Sequence, residues 1–261
     1  VGGSAGEARA QALHDADLVI RHGAGGAIET GLPGPGGVEW GRRVGRGRLD
    51  LAQFANLSDD PGFDSPGGSF PAGTVIGVDL LAALRLWDGA GFETIDPDIA
   101  MSVTKGSSII TTPSVDQRVP GFTFGSADAS GRFHHHVRYF LSPYDAFNPM
   151  PGMWLLQFEL WSTDPAVSPS EPVFIVFANG GGFAALLDEG VAWVEANLLG
   201  GGGCNPADLG EPFGILDLAD ITAFIGAFVG ADPLADLAEP FGVFDLQDIT
   251  EFVSAFVAGC P

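Results

Sequence analysis

The chain has 261 residues, 46% of them hydrophobic, and carries a net charge of −22, with 33 carboxylates against 11 lysines and arginines. That balance repels phosphate backbones and anionic bilayers, which excludes nucleic-acid binding, and no stretch approaches the ~20 apolar residues of a membrane-spanning helix. Gly (39) and Pro (19) together exceed a fifth of the residues, which favours short strands and tight turns over long helices.

Residues 1–13 read as a polar leader, loosely held or docked on a neighbour. The sequence opens on Val1, as a processed product would, and Ala10-Gln11-Ala12 has the form of a signal-cleavage tripeptide without an apolar segment ahead of it. Residues 14–199 read as a mainly β domain, a β-sandwich of jelly-roll or Ig-like type with a C-terminal helix. Candidate strands cover 17–21, 27–30, 38–49, 74–78, 99–103, 108–111, 122–124, 132–141, 154–162 and 173–177. Turns such as Pro33-Gly34-Pro35-Gly36-Gly37 and Ser65-Pro66-Gly67-Gly68 separate them. Residues 79–86 read as a single helix across one opening, and 183–199 as the closing helix, with Leu186, Val191, Val194 and Leu198 on its apolar face.

Within this domain 132–141 alternates as a strand. Phe133, His135, Val137, Tyr139 and Leu141 share the core face, and His134, His136 and Arg138 share the other. Two imidazoles at i and i+2 suit Zn²⁺ or Cu²⁺, with His14, His22 and Glu159 as the available third ligands; the alternative is a surface histidine pair beside an arginine. Arg42, Arg43, Arg46 and Arg48 form a basic stripe that either meets the acidic C-terminal region or is neutralised locally. Asn56-Leu57-Ser58 fits a glycosylation sequon. There is no Gly-x-Ser-x-Gly elbow and no Gly-x-Gly-x-x-Gly opening a helix, and the pairs Asp59-Asp60 and Asp96/Asp98 fall in turn-rich segments where solvated carboxylates are ordinary. The expectation is a non-enzymatic protein.

Gly200 to Gly203 form a hinge, residues 200–203, ahead of a duplicated segment, 204–261. The run from Asp208 to Thr222 recurs from Asp236 to Thr250, an offset of 28 residues, and each copy passes from an acidic loop into an amphipathic helix, 220–229 and 248–257. Ile221, Phe224, Ile225 and Phe228 recur as Ile249, Phe252, Val253 and Phe256 at helical spacing, so the two stripes should pack on each other or on a partner. Beyond Cys204 there are ten carboxylates and no Lys or Arg. Cys204 and Cys260 bracket the duplication and read as a disulfide, implying an oxidising compartment. Such a closure would restrict the unfolded state by roughly 4 kcal/mol.

The loop-then-helix duplication at 204–261 resembles the dockerin modules of secreted bacterial proteins, in their cysteine-closed form. The resemblance implies EF-hand-like calcium loops. Asp208 and Asp236 match the first ligand, Gly214 and Gly242 the turn glycine, Asp217 and Asp245 the water-mediated position, and Asp220 and Asp248 the closing acid, with Glu211 and Glu239 as further oxygen donors. Each loop is one residue longer than the family's twelve and carries Pro212 or Pro240 among its middle ligands. Either calcium binds weakly through a rebuilt shell, or Phe213 and Phe241 fill the loops and the module folds without metal. In the family such a module docks onto a partner or attaches a protein to a surface.

Residues 14–199 resemble secreted bacterial domains with an early His-Asp segment (His14, Asp17), a His-x-His strand (His134, His136), a Trp-Ser-Thr-Asp-Pro segment (Trp161 to Pro165) and a final Trp-Val-Glu-Ala-Asn helix (Trp193 to Asn197). The leading expectation is an extracellular structural or interaction protein, displayed or self-assembled at a cell surface. Its partners would be another protein or copies of itself, reached through the C-terminal module and an exposed sheet edge. The alternative is a secreted or periplasmic zinc- or copper-binding protein using His134 and His136.

Overall fold

The computed structural model describes residues 17–50, 55–145, 147–148, 150–180, 182–199, 205–210, 216–238, 240 and 242–259. The chain is mainly β, with several sheets and three α-helices among the described residues, and it divides into two compact units, residues 1–191 and 192–261. The leader, the hinge glycines and both cysteines lie outside the described residues.

The strands are, in order, β1 (Leu18–His22), β2 (Ile28–Gly34), β3 (Gly37–Trp40), β4 (Val44–Arg48), β5 (Leu57–Ser58), β6 (Phe63–Asp64), β7 (Val75–Leu80) and β8 (Arg85–Leu86). They continue with β9 (Thr94–Ile95), β10 (Ala100–Lys105), β11 (Ser108–Thr111), β12 (Val119–Ser126), β13 (His134–His135), β14 (Arg138–Ser142), β15 (Gly152–Ser162) and β16 (Val173–Asn179). The first sheet has the order β13-β6-β1-β2-β3, the second β11-β10-β14-β5, and the third β12-β7-β15-β16-β4 with β8 and β9 beside β15. All three contribute to one apolar core: Leu18 and Phe63 from the first, Met101 and Tyr139 from the second, and Val78, Trp154, Phe158 and Phe177 from the third. Phe63 stands edge-on to Phe158 at 5.9 Å between centroids, a favourable aromatic geometry. β16 is buried at every residue because β15 and β4 flank it, and an interior strand covered on both faces needs no polar alternation.

Three sequence expectations are corrected. The stretch 38–49 is two strands, not one: the chain turns at Gly41, whose φ of +84° favours glycine, and β3 and β4 enter different sheets. Residues 79–86 are not a helix. Asp79 and Leu80 complete β7, where Leu80 pairs with Phe158 on one side and Val119 on the other, and Arg85 and Leu86 form β8. Ladder bonds to two neighbours outweigh the weak helical preference of the Leu-Ala-Ala-Leu segment that follows.

The third correction concerns 132–141, which also is not a single strand. β13 pairs with β6 in the first sheet, and β14 pairs with β10 and β5 in the second. The chain changes sheets at His136 and Val137. The expected inward and outward faces hold at Phe133, Val137, Tyr139 and Leu141, which are buried, and at His134 and Arg138, which are exposed, but His135 and His136 are both half-buried. Alternation fixes which way a side chain points, but it does not report which neighbour the backbone joins.

Helix α1 (Leu187–Leu198) follows a 3-10 turn at Phe183–Leu186. Within the expected apolar face Val191 and Val194 are buried, but Leu198 is exposed. In the C-terminal unit α2 (Leu218–Gly230) and α3 (Leu246–Ala258) occupy equivalent positions of the duplication. Phe224 and Phe252, repeat-related partners, stack at 4.1 Å between centroids with 14° between planes. Phe228, Phe244 and Phe256 pack around them. The stripes are covered in part: Ile221 packs on the phenylalanines, while Ile225, Ile249 and Val253 remain exposed. Among the described residues no helix is long and apolar enough to cross a membrane.

Candidate metal centre

Three neighbouring strands of the first sheet assemble a histidine–carboxylate cluster. Asp17 stands immediately before β1, Asp64 ends β6, and His134 opens β13 directly across from Asp64 in the ladder. His136 follows two residues later, where the chain leaves for the second sheet. One ligand atom from each of Asp17, His134 and His136 lie within 4.8 Å of one another. His136 Nε2 is 3.6 Å from Asp17 Oδ2, and the two imidazole centroids are 5.2 Å apart.

The surroundings orient these groups. Asp17 is fully buried, and its Oδ1 accepts a hydrogen bond from Gly62 N at 2.7 Å. His136 Nδ1 lies 2.9 Å from the Asp59 carbonyl oxygen and 3.4 Å from Asp60 Oδ1, an arrangement that puts the ring proton on Nδ1 and leaves Nε2 to face Asp17. Gly62 makes room for the ring, because a Cβ there would lie 2.7 Å from His136 Nδ1. His134 Nδ1 lies 3.3 Å from Asp64 Oδ2. Asp64 is itself fully buried and holds Arg132, whose Nη2 donates to Oδ2 at 2.9 Å and to Oδ1 at 3.0 Å. Ser65 N donates to Asp64 Oδ1 at 2.8 Å, fixing the carboxylate plane. Beneath the cluster the Tyr139 hydroxyl donates to the Pro61 carbonyl at 3.0 Å. Burial, together with the charges of Asp17 and Asp60, pushes that phenol far above its ordinary pKa, so it stays a neutral donor.

Each imidazole thus has a carboxylate or carbonyl at one nitrogen, as metal-binding histidines do. Tetrahedral zinc with bonds of about 2.0–2.2 Å separates its ligand atoms by roughly 3.3–3.5 Å, close to the 3.6 Å between His136 and Asp17. The His134 side chain is 43% exposed. Two histidines and one carboxylate also form the ligand set of open ferrous and zinc sites.

Of the third ligands considered from sequence, none is the one assembled among the described residues. Glu159 is bound to Arg118 on the third sheet, His22 lies beside the Gly26 carbonyl, and His14 is outside the described residues. Asp17 was visible only as a neighbour of His14. The signal that marks it is an acid abutting the wholly apolar Leu18-Val19-Ile20. His135 is the structural member of the triplet: its ring stands edge-on to Phe133 at 4.6 Å, and burial holds its pKa below the ordinary value against the opposing effect of the Ser126 carbonyl.

The remaining expectations resolve locally. Arg42, Arg43, Arg46 and Arg48 pair with Glu39, Glu171, Asp188 and Asp50, all within the β-rich unit. The Asn56 sequon is unsuited to modification: the side chain is fully buried, donating to the carbonyls of Asp145 (2.6 Å) and Asn148 (3.0 Å) and accepting from Met150 N (2.7 Å).

In the C-terminal unit Asp217 and Asp245 are helix N-caps, accepting from Ala219 N at 2.6 Å and Gln247 N at 2.7 Å. Asp220 Oδ1 accepts from Leu209 N and Gly210 N, both at 2.7 Å, and Oδ2 from Asp217 N at 2.7 Å. Asp248 repeats the pattern with Leu237 N (2.8 Å), Ala238 N (3.0 Å) and Asp245 N (2.9 Å). Asp236 Oδ2 accepts from Gly242 N at 2.5 Å, closing its own loop, and Asp208 is buried. Glu211, Glu239, Gly214, Pro212, Phe213 and Phe241 lie outside the described residues. No protein-family model matches the chain, and a search of curated proteins finds no match.

Proposed function

We propose that the β-rich unit is a β-sandwich that binds a divalent transition metal, zinc in the first instance, through Asp17, His134 and His136. The supporting observation is the convergence of one carboxylate and two imidazoles from separate segments, each imidazole with an oxygen beside its Nδ1. Surface histidine pairs need neither feature. Three protein ligands would leave a coordination position for water or an outside ligand. This reading is favoured over the purely structural role expected from sequence because Asp17, fully buried, faces His136. The test is elemental analysis of the untagged full chain dialysed against trace zinc and copper. We expect near one ion per chain, retained by Arg46→Gln and lost in Asp17→Asn and in a His134→Ala/His136→Ala double variant. Equal metal in all four proteins would sink the proposal.

For the C-terminal unit a second reading has its own support: a dockerin-like connector in a secreted or surface-attached protein. Leu218, Ile225 and Val229 on α2 and their repeat equivalents Leu246, Val253 and Val257 on α3 are all exposed. Spaced at i, i+7 and i+11, they line one side of each helix. With ten carboxylates and no basic residue in 204–261, a second copy of this unit is repelled, and the fitting partner is an apolar protein face rimmed by lysine or arginine. Leu218→Glu and Leu246→Glu would abolish attachment to such a partner while leaving the metal content unchanged; attachment that survives both changes counts against the connector.

A further inference from the structure

The described cations of this acidic chain are nearly all spoken for. Arg21, Arg42, Arg43, Arg46, Arg48, Arg85, Arg118 and Arg132 each pair with a carboxylate. Among the described residues the exceptions are Arg138 and Lys105, the one lysine in the sequence. Both line the same open pocket of about 380 Å³, together with Asp59, Thr104 and the far side of the metal cluster at His136. In a chain of net charge −22, two cations left without a carboxylate in one pocket are a local reversal of the field.

The β10–β14 ladder fixes their backbone positions. Thr104 and Arg138 are cross-strand partners in the β10–β14 ladder, and Lys105 ends β10 with its ammonium donating to the His136 carbonyl at 2.6 Å. That bond uses one of the three donors of the ammonium and neutralises none of its charge. The pocket volume falls in the range of small-molecule sites, about 300–1,000 Å³.

We propose that this pocket binds the carboxylate group of a small organic molecule, held by Lys105 and Arg138. Arginine offers a planar fork that matches a carboxylate, and lysine adds a point charge. Counting Asp59 against the two cations leaves a single positive charge, which favours a monoanion over a doubly charged phosphate. The site is separate from the metal-binding reading and stands without it, although the two share His136 as a wall.

The test uses the full chain, ¹⁵N-labelled and stripped of metal on a chelating resin, titrated with sodium acetate against sodium chloride at constant ionic strength. Saturable shifts of the Thr104, Lys105 and Gly106 amides are expected, with affinity about ten-fold weaker in Lys105→Gln and in Arg138→Gln, since each removes a charge-assisted hydrogen bond. Arg46→Gln, which disturbs a paired arginine elsewhere, should leave acetate binding unchanged. The rest of each variant's spectrum reports whether it is folded. The proposal is overturned by shifts that rise linearly without saturation, by equal affinity in all four proteins, or by inorganic phosphate at pH 8 binding as tightly as acetate. Because no metal is present, failure here leaves the metal centre untouched, and failure of the metal centre leaves this result standing.

Discussion

In the β-rich unit the buried carboxylates Asp17 and Asp64 sit beside imidazoles; in the C-terminal unit Asp220 and Asp248, buried as deeply, sit among backbone N–H groups. Asp220 accepts three backbone hydrogen bonds, from Leu209, Gly210 and Asp217, so one side chain ties the loop to the helix N-terminus. That is the mechanical task a calcium ion performs in an EF-hand loop. Asp17 accepts from Gly62 N and turns its other oxygen toward His136. Burial and acidity are common to both sites, so neither decides whether a carboxylate is a ligand or a strut. The kind and direction of its neighbours decide.

The comparison breaks first at Asp64. It carries the bidentate Arg132, the Ser65 amide and the His134 contact from a position with no exposure. Asp64→Ala removes the bidentate carboxylate from a largely buried guanidinium, at a cost of about 3–5 kcal/mol. It should also weaken zinc binding by roughly 10–100-fold, because His134 loses its orienting partner. Urea unfolding and a zinc titration measure the two effects separately. Full stability with weak zinc would make Asp64 only an orienting group; lost stability with intact zinc would make it only a structural one.

A smaller effect is expected at Asp220, because its partners are neutral amides close to solvent. Asp220→Ala should cost about 2 kcal/mol, the range of a lost cap plus orphaned donors. The loss is local, and faster hydrogen exchange at Leu209 and Gly210 is the measurement that checks it. Unchanged exchange would mean that the loop is held by something other than this carboxylate.

Acid should weaken the same bonds less than deletion does. Burial opposes ionisation of Asp220, but the backbone donors Asp217, Gly210 and Leu209 overcome it and hold the carboxyl below its ordinary pKa. For Asp248 the Asp245 amide leads, with burial opposing and the Ala238 and Leu237 amides assisting. A carboxyl with a lowered folded-state pKa stabilises fully above its unfolded value of about 3.9 and loses that contribution as pH falls through the folded value. The helix signal of α2 and α3 should therefore hold at pH 5 and decline only below about pH 4. A decline centred near pH 6 would point to histidine instead and contradict the capping account.

The two regions also differ in how far the sequence discloses them. The duplication, its helical spacing and the helix ends are local properties, and the helices begin and end within two residues of the expected 220–229 and 248–257. The caps are legible too, as the Asp217-x-x-Asp220 and Asp245-x-x-Asp248 spacings of a capping box, although the same acids also match calcium-ligand positions. In the β-rich unit the faces of His134 and Tyr139 follow from alternation. The sheet change at His136 does not, because the alternation continues through it. Nor does the meeting of Asp17 with the histidines, which depends on β6 lying between β1 and β13. Such pairings are long-range choices that no local pattern encodes.

The smallest predicted effect sharpens the comparison most. If Asp220 and Asp248 act as struts, calcium should do nothing to the C-terminal unit, even though it carries ten carboxylates. A ligand present at 100 times its Kd stabilises a folded state by about 2.7 kcal/mol, so 10 mM calcium would register any site with a Kd near 0.1 mM, the tight end of the range of extracellular modules. We expect a change below about 0.5 kcal/mol in the unfolding of α2 and α3, no larger than that produced by magnesium at equal ionic strength. A calcium-specific rise of about 2.7 kcal/mol would instead show that the closing acids exchange backbone partners for the ion. The two units would then differ in which metal they hold and not in whether they hold one.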